Sequence, residues 1–342
     1  MKRKSMIYSS PGKVKIINES IYPPREGEIQ VKTKFSAISP GTEMLVYRGQ
    51  IPTQGALDST IPAFSHPFQY PIKYGYTCSG EVVKIGPGVS ESWLGQRVFS
   101  FNPHESLFTT SPSNLIRIPP EISDLDSIFL PNMETAVNFI HDAKPLIGET
   151  AVVVGTGIVG LLTTALLSRF PLKTLLTADR FPYRREAAEK AGSNFTFDPA
   201  VEDALFKAID YCKSQGIHDK ADLVIECSGN PDGLNLAIGL AGFYGRVIVG
   251  SWYGTKPAVL DLGGAYHRSR ISLKSSQVSS IDPELSGRWN KRRRFELAWK
   301  MIELIKPSQW ITHKIGFCDC EKAFELLDKN PEETIQVVFD YS

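Results

Sequence analysis

Apolar and polar residues alternate along residues 27–35, with Ile29, Val31 and Phe35 separated by Gln30, Lys32 and Lys34, the period of a half-buried strand. Residues 79–86 repeat that texture and close on the turn Gly86-Pro87-Gly88. Residues 95–101 and 107–110 predict two more strands, so the first 120 residues read as β-rich. Residues 50–70, dense in Pro, Thr, Ser and Gly, predict a long surface loop or lid. From about Asp124 the pattern turns helical, and after Ala151 strands and helices alternate. Residues 151–154 and 173–178 are strands, 186–192 is a helix ending on Gly192, and 221–227 is a strand. A helix at 234–240, a strand at 245–250, a long helix at 291–305 and a strand at 335–340 follow. Such alternation predicts a parallel sheet with helices on both faces.

The most informative local pattern is the glycine turn that follows the strand at 151–154. Gly155, Gly157 and Gly160 stand at G-x-G-x-x-G spacing, and an apolar helical run begins at once. The first glycine permits a tight bend, the second lets the backbone approach a pyrophosphate, and the third lets helix and strand pack closely. The helix N-terminus then points at the phosphates. The next strand ends at Asp179, 24 residues after Gly155, where an acid can accept hydrogen bonds from an adenosine ribose. An α/β unit that binds no nucleotide is the alternative reading of the same residues.

Composition narrows the class. A chain of 342 residues is long for one core and suits two domains. Balanced charge, 38 basic against 37 acidic residues, leaves no electrostatic footprint for nucleic acid or an acidic membrane surface. The basic start of the chain lacks the apolar stretch of a signal peptide, and no apolar run reaches the length of a membrane span. Five cysteines without a C-x-x-C pair read as reduced thiols in a cytoplasmic protein, and Cys318 with Cys320 make a poor metal or redox pair.

Together, residues 79–86, 151–160, Asp179, 226–229, 245–250, 311–314 and 321–327 resemble the medium-chain dehydrogenase/reductase superfamily over nearly the whole chain. The resemblance implies an α/β architecture: a GroES-like β-barrel catalytic domain plus a Rossmann domain with a doubly wound parallel sheet. The implied boundaries are 1–123 for the first part of the barrel domain, 124–276 for the Rossmann domain and 277–342 for the return to the barrel. Residues 39–49, 129–138 and 250–256 look most like a subgroup around bacteriochlorophyllide hydroxyethyl dehydrogenase. The zinc ligands of the superfamily are missing from this sequence. Pro40 stands where a Cys belongs, Tyr76 and Thr77 replace a His-Glu pair, and the third ligand falls near Pro131. Proline has no ligand atom, and neutral Tyr or Thr oxygens bind Zn²⁺ poorly. The four-cysteine lobe for structural zinc is absent too. No zinc is therefore expected; a site rebuilt from Glu43, Cys78 and His104 is the alternative.

Without a Lewis acid, the developing oxyanion needs hydrogen-bond donors or a general acid. The resemblance places four residues in the catalytic cleft: Thr42 as a proton relay, Glu43 beside it, Tyr76 as a phenol donor, and His104 near the cleft mouth. Each also has a plain structural reading: Thr42 and Glu43 as turn caps, Tyr76 as packing, His104 as a solvated side chain. For the cofactor, Gly155, Gly157 and Gly160 with the amides of Ile158 and Val159 are expected on the pyrophosphate. Asp179 on the ribose argues for NAD, while Arg180 leaves NADP open, and Arg184 fits the adenine edge. Thr135, Ser228, Gly250 and Ser251 are expected on the nicotinamide side. The basic run Lys291–Arg294 reads as a solvated helix face, not a nucleic-acid patch. Residues 266–270 beside 274–277 read as a surface loop, with reach to an anionic group as the alternative. The expected function is a zinc-independent, NAD(P)-dependent oxidoreductase acting on a carbonyl, an alcohol or an activated C=C, with a small-molecule substrate. No nucleic-acid or membrane partner is expected, and the resemblance favours a homodimer. A zinc alcohol dehydrogenase with substitute ligands and a non-catalytic NAD(P)H-binding sensor or scaffold are the alternatives.

Overall fold

The computed structural model describes residues 2–52, 68–216 and 220–342. The stretch predicted as a loop or lid, residues 50–70, falls largely outside them. The chain divides into two compact units, Met1–Pro131 with Ile302–Ser342, and Asn132–Met301.

The first unit begins with an antiparallel ribbon of β1 (Lys2–Ser10) and β2 (Lys13–Ser20), followed by β3 (Ile29–Ala37), α1 (Pro40–Arg48), β4 (Cys78–Ile85), β5 (Arg97–Ser100), β6 (Leu107–Thr110), β7 (Leu115–Arg117) and α2 (Asp124–Ser127). Ile29 and Val31 of β3 pack with Val82, Val98 and Phe108, but Gln30 and Thr33 are buried too, so the strand is more fully covered than the half-buried alternation predicted. A segment read as part of a β-rich region is helical: α1 has Pro40 in its first turn and ends on Gly49, whose φ of 69° suits glycine. Its inward face, Met44, Leu45 and Val46, joins Met6, Tyr8 and Phe339 in a second core.

The second unit holds most of α3 (Leu130–Ala143), then β8 (Thr150–Val154), α4 (Ile158–Leu167), β9 (Thr174–Ala178), α5 (Pro182–Lys190), β10 (Phe195–Phe197), α6 (Ala204–Ser214), β11 (Ala221–Glu226), α7 (Pro231–Leu240), β12 (Ala241–Val249), β13 (Ser272–Ser275) and most of α8 (Lys291–Ile305). Its six strands are parallel in the order β10-β9-β8-β11-β12-β13. All five residues of β8 are buried, and they alternate between two cores. Val152 and Val154 pack with Leu176, Val224 and Val247, while Ala151 and Val153 pack with Leu175, Leu223 and Ile248. A continuous apolar run is what a strand covered on both faces needs.

The chain returns to the first unit with β14 (Ile311–Gly316), α9 (Cys320–Lys329) and β15 (Gln336–Asp340). The mixed sheet runs β14-β15-β3-β4-β5-β7, and β6 also pairs with β3. The C-terminal β15 lies parallel to β14 and antiparallel to β3. By compactness the first unit resumes at Ile302. Arg294, predicted on a solvated face, is completely buried. Its guanidinium donates to Glu134 at 2.7 Å and 3.0 Å, to Asn138 Oδ1 at 2.6 Å, and to the carbonyls of Val278 and Ser280. Lys274, read with residues 275–277 as a surface loop, places its ammonium 2.5 Å from Asp282 and 3.3 Å from Asp142.

Candidate functional site

In the second unit, the turn after β8 has the shape its glycines predict. Gly155 has φ of 90°, and a side chain there would come within 2.5 Å of the Ser228 backbone. A Cβ at Gly160 would overlap the Gly155 carbonyl oxygen. Gly157 is different: it is the N-cap of α4 and a Cβ there meets nothing within 4 Å. The open side of the turn is therefore at Gly157, beside the first-turn amides of Ile158 and Val159, which have no carbonyl partner inside the helix. No acid lies in that first turn. Such a cradle fits a diphosphate.

Asp179, at the end of β9, is buried. Its carboxylate accepts the Thr156 N–H at 2.8 Å and the Phe181 N–H at 3.0 Å. The acid thus closes the glycine turn onto the neighbouring strand, and a carboxylate has further acceptor sites for ribose hydroxyls. The guanidiniums of Arg180 and Arg184 lie over the Phe181 ring at 4.5 Å and 4.9 Å. Burial holds the Arg184 pKa below its usual value, against the opposing pull of Asp179.

The ends of β11 and β12 carry a bonded cluster only partly legible in the sequence. Glu226 is completely buried and accepts the Ser228 N–H at 2.8 Å, the Ser228 hydroxyl at 2.5 Å and the Tyr253 hydroxyl at 2.6 Å. Burial first, and Glu226 second, push the Tyr253 phenol far above its ordinary pKa. Ser251 Oγ accepts the Gly229 N–H at 2.9 Å, and the Cys227 thiol donates to the Gly155 carbonyl at 3.1 Å. Gly250 is packed under the Phe139 ring, which a Cβ would overlap. Thr135 is half-buried on α3, next to the Glu134 that holds Arg294. Glu226, Cys227 and Tyr253 were not among the expected site residues. Their one sequence signal was position, at the carboxyl ends of parallel strands where such sheets bind ligands.

In the first unit the four expected catalytic residues separate into two kinds. Thr42 and Tyr76 are half-buried, and the Tyr76 hydroxyl donates to Ser39 Oγ at 2.5 Å and to Thr42 Oγ1 at 3.2 Å. Glu43 and His104 are completely buried and bonded to each other, Nε2 to Oε2, at 2.9 Å. His104 was expected near a cleft mouth. Its ring instead lies in the interior, edge-on to Phe339, with Nδ1 on Ser36 Oγ at 2.7 Å. The Glu43 carboxylate also accepts the Tyr8 hydroxyl at 2.7 Å and the Ser39 N–H at 2.9 Å. Burial, with Glu43 beside it, raises the Tyr8 phenol well above its ordinary value.

The donor set was tested against the zinc ion that the superfamily implies. Pro40 has no donor atom and sits in the first turn of α1. Tyr76 is engaged as described, and Thr77 Oγ1 bonds both the N–H and the C=O of Ala37. In the substitute set, Glu43 and His104 are bonded to each other, and the buried Cys78 thiol lies 3.5 Å from Thr33 Oγ1. Among the described residues, no three His, Cys, Asp or Glu side chains are grouped to hold a metal. The ligand positions that the resemblance marks, Pro40, Tyr76, Thr77 and Pro131, thus carry no thiolate, imidazole or carboxylate. Also among the described residues, no helix is long and apolar enough to cross a membrane.

A family model described as zinc-binding dehydrogenase matches residues 159–294. The starvation-sensing protein RspB of Escherichia coli K12 is 22% identical, aligned over 99% of each chain. D-guloside 3-dehydrogenase of Escherichia coli K12 is 24% identical over 91% of this chain and 92% of its own. The solved structure described as a short chain alcohol dehydrogenase (rspB) from E. coli CFT073, complexed with NADH, superposes with a TM-score of 0.78 at 20% identity, covering 99% of both chains. With the glycine cradle, the acid at the end of β9 and a parallel sheet wound on both sides of β8, these likenesses show that the chain shares the fold of these dehydrogenases and is similar to them over nearly its whole length.

Proposed function

We propose that this protein moves a hydride between NAD(H) and a carbonyl/alcohol carbon or an activated C=C without a catalytic zinc, using Tyr76 as the group that gives and takes the proton. One observation carries the reading. The phenol of Tyr76, which the resemblance puts at a metal-ligand position, is held between two hydroxyls, Ser39 at 2.5 Å and Thr42 at 3.2 Å.

The nicotinamide, when bound, supplies or accepts the hydride. Gly155, Gly157 and Gly160 with the Ile158 and Val159 amides would hold the diphosphate, and Asp179 would receive the adenosine ribose. A carboxylate there supports NAD, because it repels a 2′-phosphate; Arg180 is the residue that would admit NADP. Thr135, Ser228, Gly250 and Ser251 line the nicotinamide side. In the reducing direction the substrate carbon gains the hydride and its oxygen takes the Tyr76 proton. Ser39 and Thr42 then turn their hydroxyls to donate to the phenolate, replacing the charge stabilisation a metal would give. A proton from solvent restores the phenol. Oxidation runs the same steps backwards. Proton transfer by a positioned side chain contributes about 10²–10⁴-fold to rate.

The zinc-binding description of the matched family supports the rival reading, an alcohol dehydrogenase with substitute ligands. Two measurements separate them: elemental analysis of protein purified without added metal, and turnover of Tyr76→Phe. Turnover is measured on a panel of secondary alcohols, sugar alcohols, aldehydes, quinones and enones with NAD(H) and NADP(H). Absence of zinc with turnover lowered about 10²-fold or more in Tyr76→Phe, and cofactor affinity unchanged, supports the proposal. Near-stoichiometric zinc, or Tyr76→Phe turning over like the wild type, overturns it. The complete burial of Glu43 and His104, half of the expected catalytic set, supports a third reading, a catalytically silent NAD(P)H-binding protein. Tight cofactor binding with no turnover on any member of the panel would establish that one.

A further inference from the structure

We infer that the buried Glu43–His104 pair is a positioning unit for the Tyr76 phenol; the inference rests on the reading of Tyr76 as the proton donor. Neither side chain reaches solvent, so neither meets substrate. Each is nevertheless tied to Tyr76 by its own route.

The first route runs through the start of α1. Ser39 is the N-cap, yet its hydroxyl makes no capping bond to the helix. Glu43 Oε1, one turn on, accepts the Ser39 N–H at 2.9 Å and fixes that residue from inside. Ser39 Oγ is thereby left to accept the Tyr76 hydroxyl at 2.5 Å. The second route runs through the backbone. The His104 ring lies against Gly75, so close that a Cβ there would be 2.6 Å from both Cδ2 and Nε2. Gly75 has φ of 123°, a conformation left to glycine, and it is the residue before Tyr76. The imidazole therefore sets where the backbone carries the phenol, and Glu43 sets what the phenol is bonded to.

The pair is locked on its far side as well. Tyr8 donates to Glu43 at 2.7 Å, and His104 Nδ1 meets Ser36 Oγ at 2.7 Å, which in turn meets the Tyr341 hydroxyl at 2.8 Å. A buried polar pair kept only for stability is commonly replaceable by apolar residues of equal volume at little cost. Apolar replacement of this pair would release the Ser39 N–H that Glu43 Oε1 accepts, even where the space against Gly75 stayed filled. Displacement of a reacting group by about 1 Å costs on the order of 10²-fold in rate, so the two buried residues act on catalysis through Tyr76.

The test uses the full chain labelled with 3-fluorotyrosine, whose twelve tyrosines each give a ¹⁹F line. Tyr76→Phe and Tyr8→Phe assign the two lines of interest. Spectra are then compared for Glu43→Gln, His104→Gln and the double variant. The Tyr8 line, in direct contact with Glu43, reports that the pair has been broken. The expected result is that the Tyr76 line shifts and broadens in each single variant, and no further in the double. The exposed Tyr22 and Tyr244 lines should stay in place. A Tyr76 line that stays put while the Tyr8 line moves overturns the inference, as does a double variant whose effect is the sum of the singles. If Glu43→Gln folds poorly, His104→Gln alone carries the comparison. Turnover then separates the two levels of the argument. Loss in Glu43→Gln should not add to loss in Tyr76→Phe, because both remove the same function. Full turnover in Tyr76→Phe would remove the reading beneath, whereas multiplicative losses would remove the positioning role alone.

Discussion

Two alanine substitutions in one glycine turn should have opposite consequences, and the contrast tests how the cofactor is held. At Gly157 the backbone has φ of −63° and ψ of −176°, which any residue adopts, and an added methyl meets nothing within 4 Å. Alanine is a poorer N-cap than glycine by roughly 0.5–1 kcal/mol, while a stiffer unfolded chain returns about 0.4–1 kcal/mol. Folding stability should therefore change by less than about 1 kcal/mol, a Tm shift within about 4 °C for a unit of this size. The same methyl projects over the amides of Ile158 and Val159. Loss of one charge-assisted bond to a phosphate oxygen costs about 1.5–3 kcal/mol, or roughly 10- to 100-fold in the Kd for NADH. At Gly160 the added methyl overlaps the Gly155 carbonyl oxygen, a backbone atom that cannot swing aside. Overpacking of this kind costs about 1–3 kcal/mol, so Gly160→Ala should lower Tm by several degrees. Calorimetric melting and titration of intrinsic NADH fluorescence read both quantities on the same preparations. Wild-type NADH affinity in Gly157→Ala would refute the assignment of the open face to the diphosphate. Wild-type stability in Gly160→Ala would refute the close approach of α4 to the turn.

Three further outcomes are expected. Asp179→Ala should weaken NAD⁺ about tenfold or more by calorimetric titration and NADP⁺ less; equal losses would place the ribose contact elsewhere. Arg294→Met leaves the Glu134 carboxylate buried without its partner, at a cost of about 3–5 kcal/mol and a Tm lower by about 10 °C. Adding Glu134→Leu should recover part of that loss, and no recovery would show that the carbonyls of Val278 and Ser280 dominate. The hydrogen bond from Lys274 holds the Asp282 carboxyl below its ordinary pKa. A depressed acid contributes stability that is complete above the unfolded value near pH 4 and fades as pH falls through the folded one. Melting curves of Asp282→Asn should therefore be flatter below about pH 4 than those of the wild type, and parallel curves would rule the pair out as a source of acid lability.

How much of this molecule could be read from its sequence depends on the range of the forces involved. The glycine turn, the strands on both sides of it and the acid at residue 179 are local statements. Hydrophobic period, a requirement for positive φ and the reach of one βαβ unit are written in neighbouring residues, and the structure places those elements where the pattern put them. Helix α1 escaped because its inward face is only Met44, Leu45 and Val46 beside a charged Glu43, too short a stripe to show a period of 3.6. The sequence also showed that Pro40 and Pro131 carry no ligand atom, since side-chain chemistry needs no fold to be known. It could not show what Glu43 and His104 do. They are 61 residues apart, and only the packing of α1 against the loop before β6 turns two candidate surface groups into one buried pair. Arg294 and Glu134, 160 residues apart, are the same case: Lys291, Arg292 and Arg293 keep the solvated face that the basic run predicts, while Arg294 turns inward and becomes an interior tie of the second unit. Burial and pairing are properties of the folded chain, because the cost of hiding a charge is met only by a partner that tertiary structure brings to it.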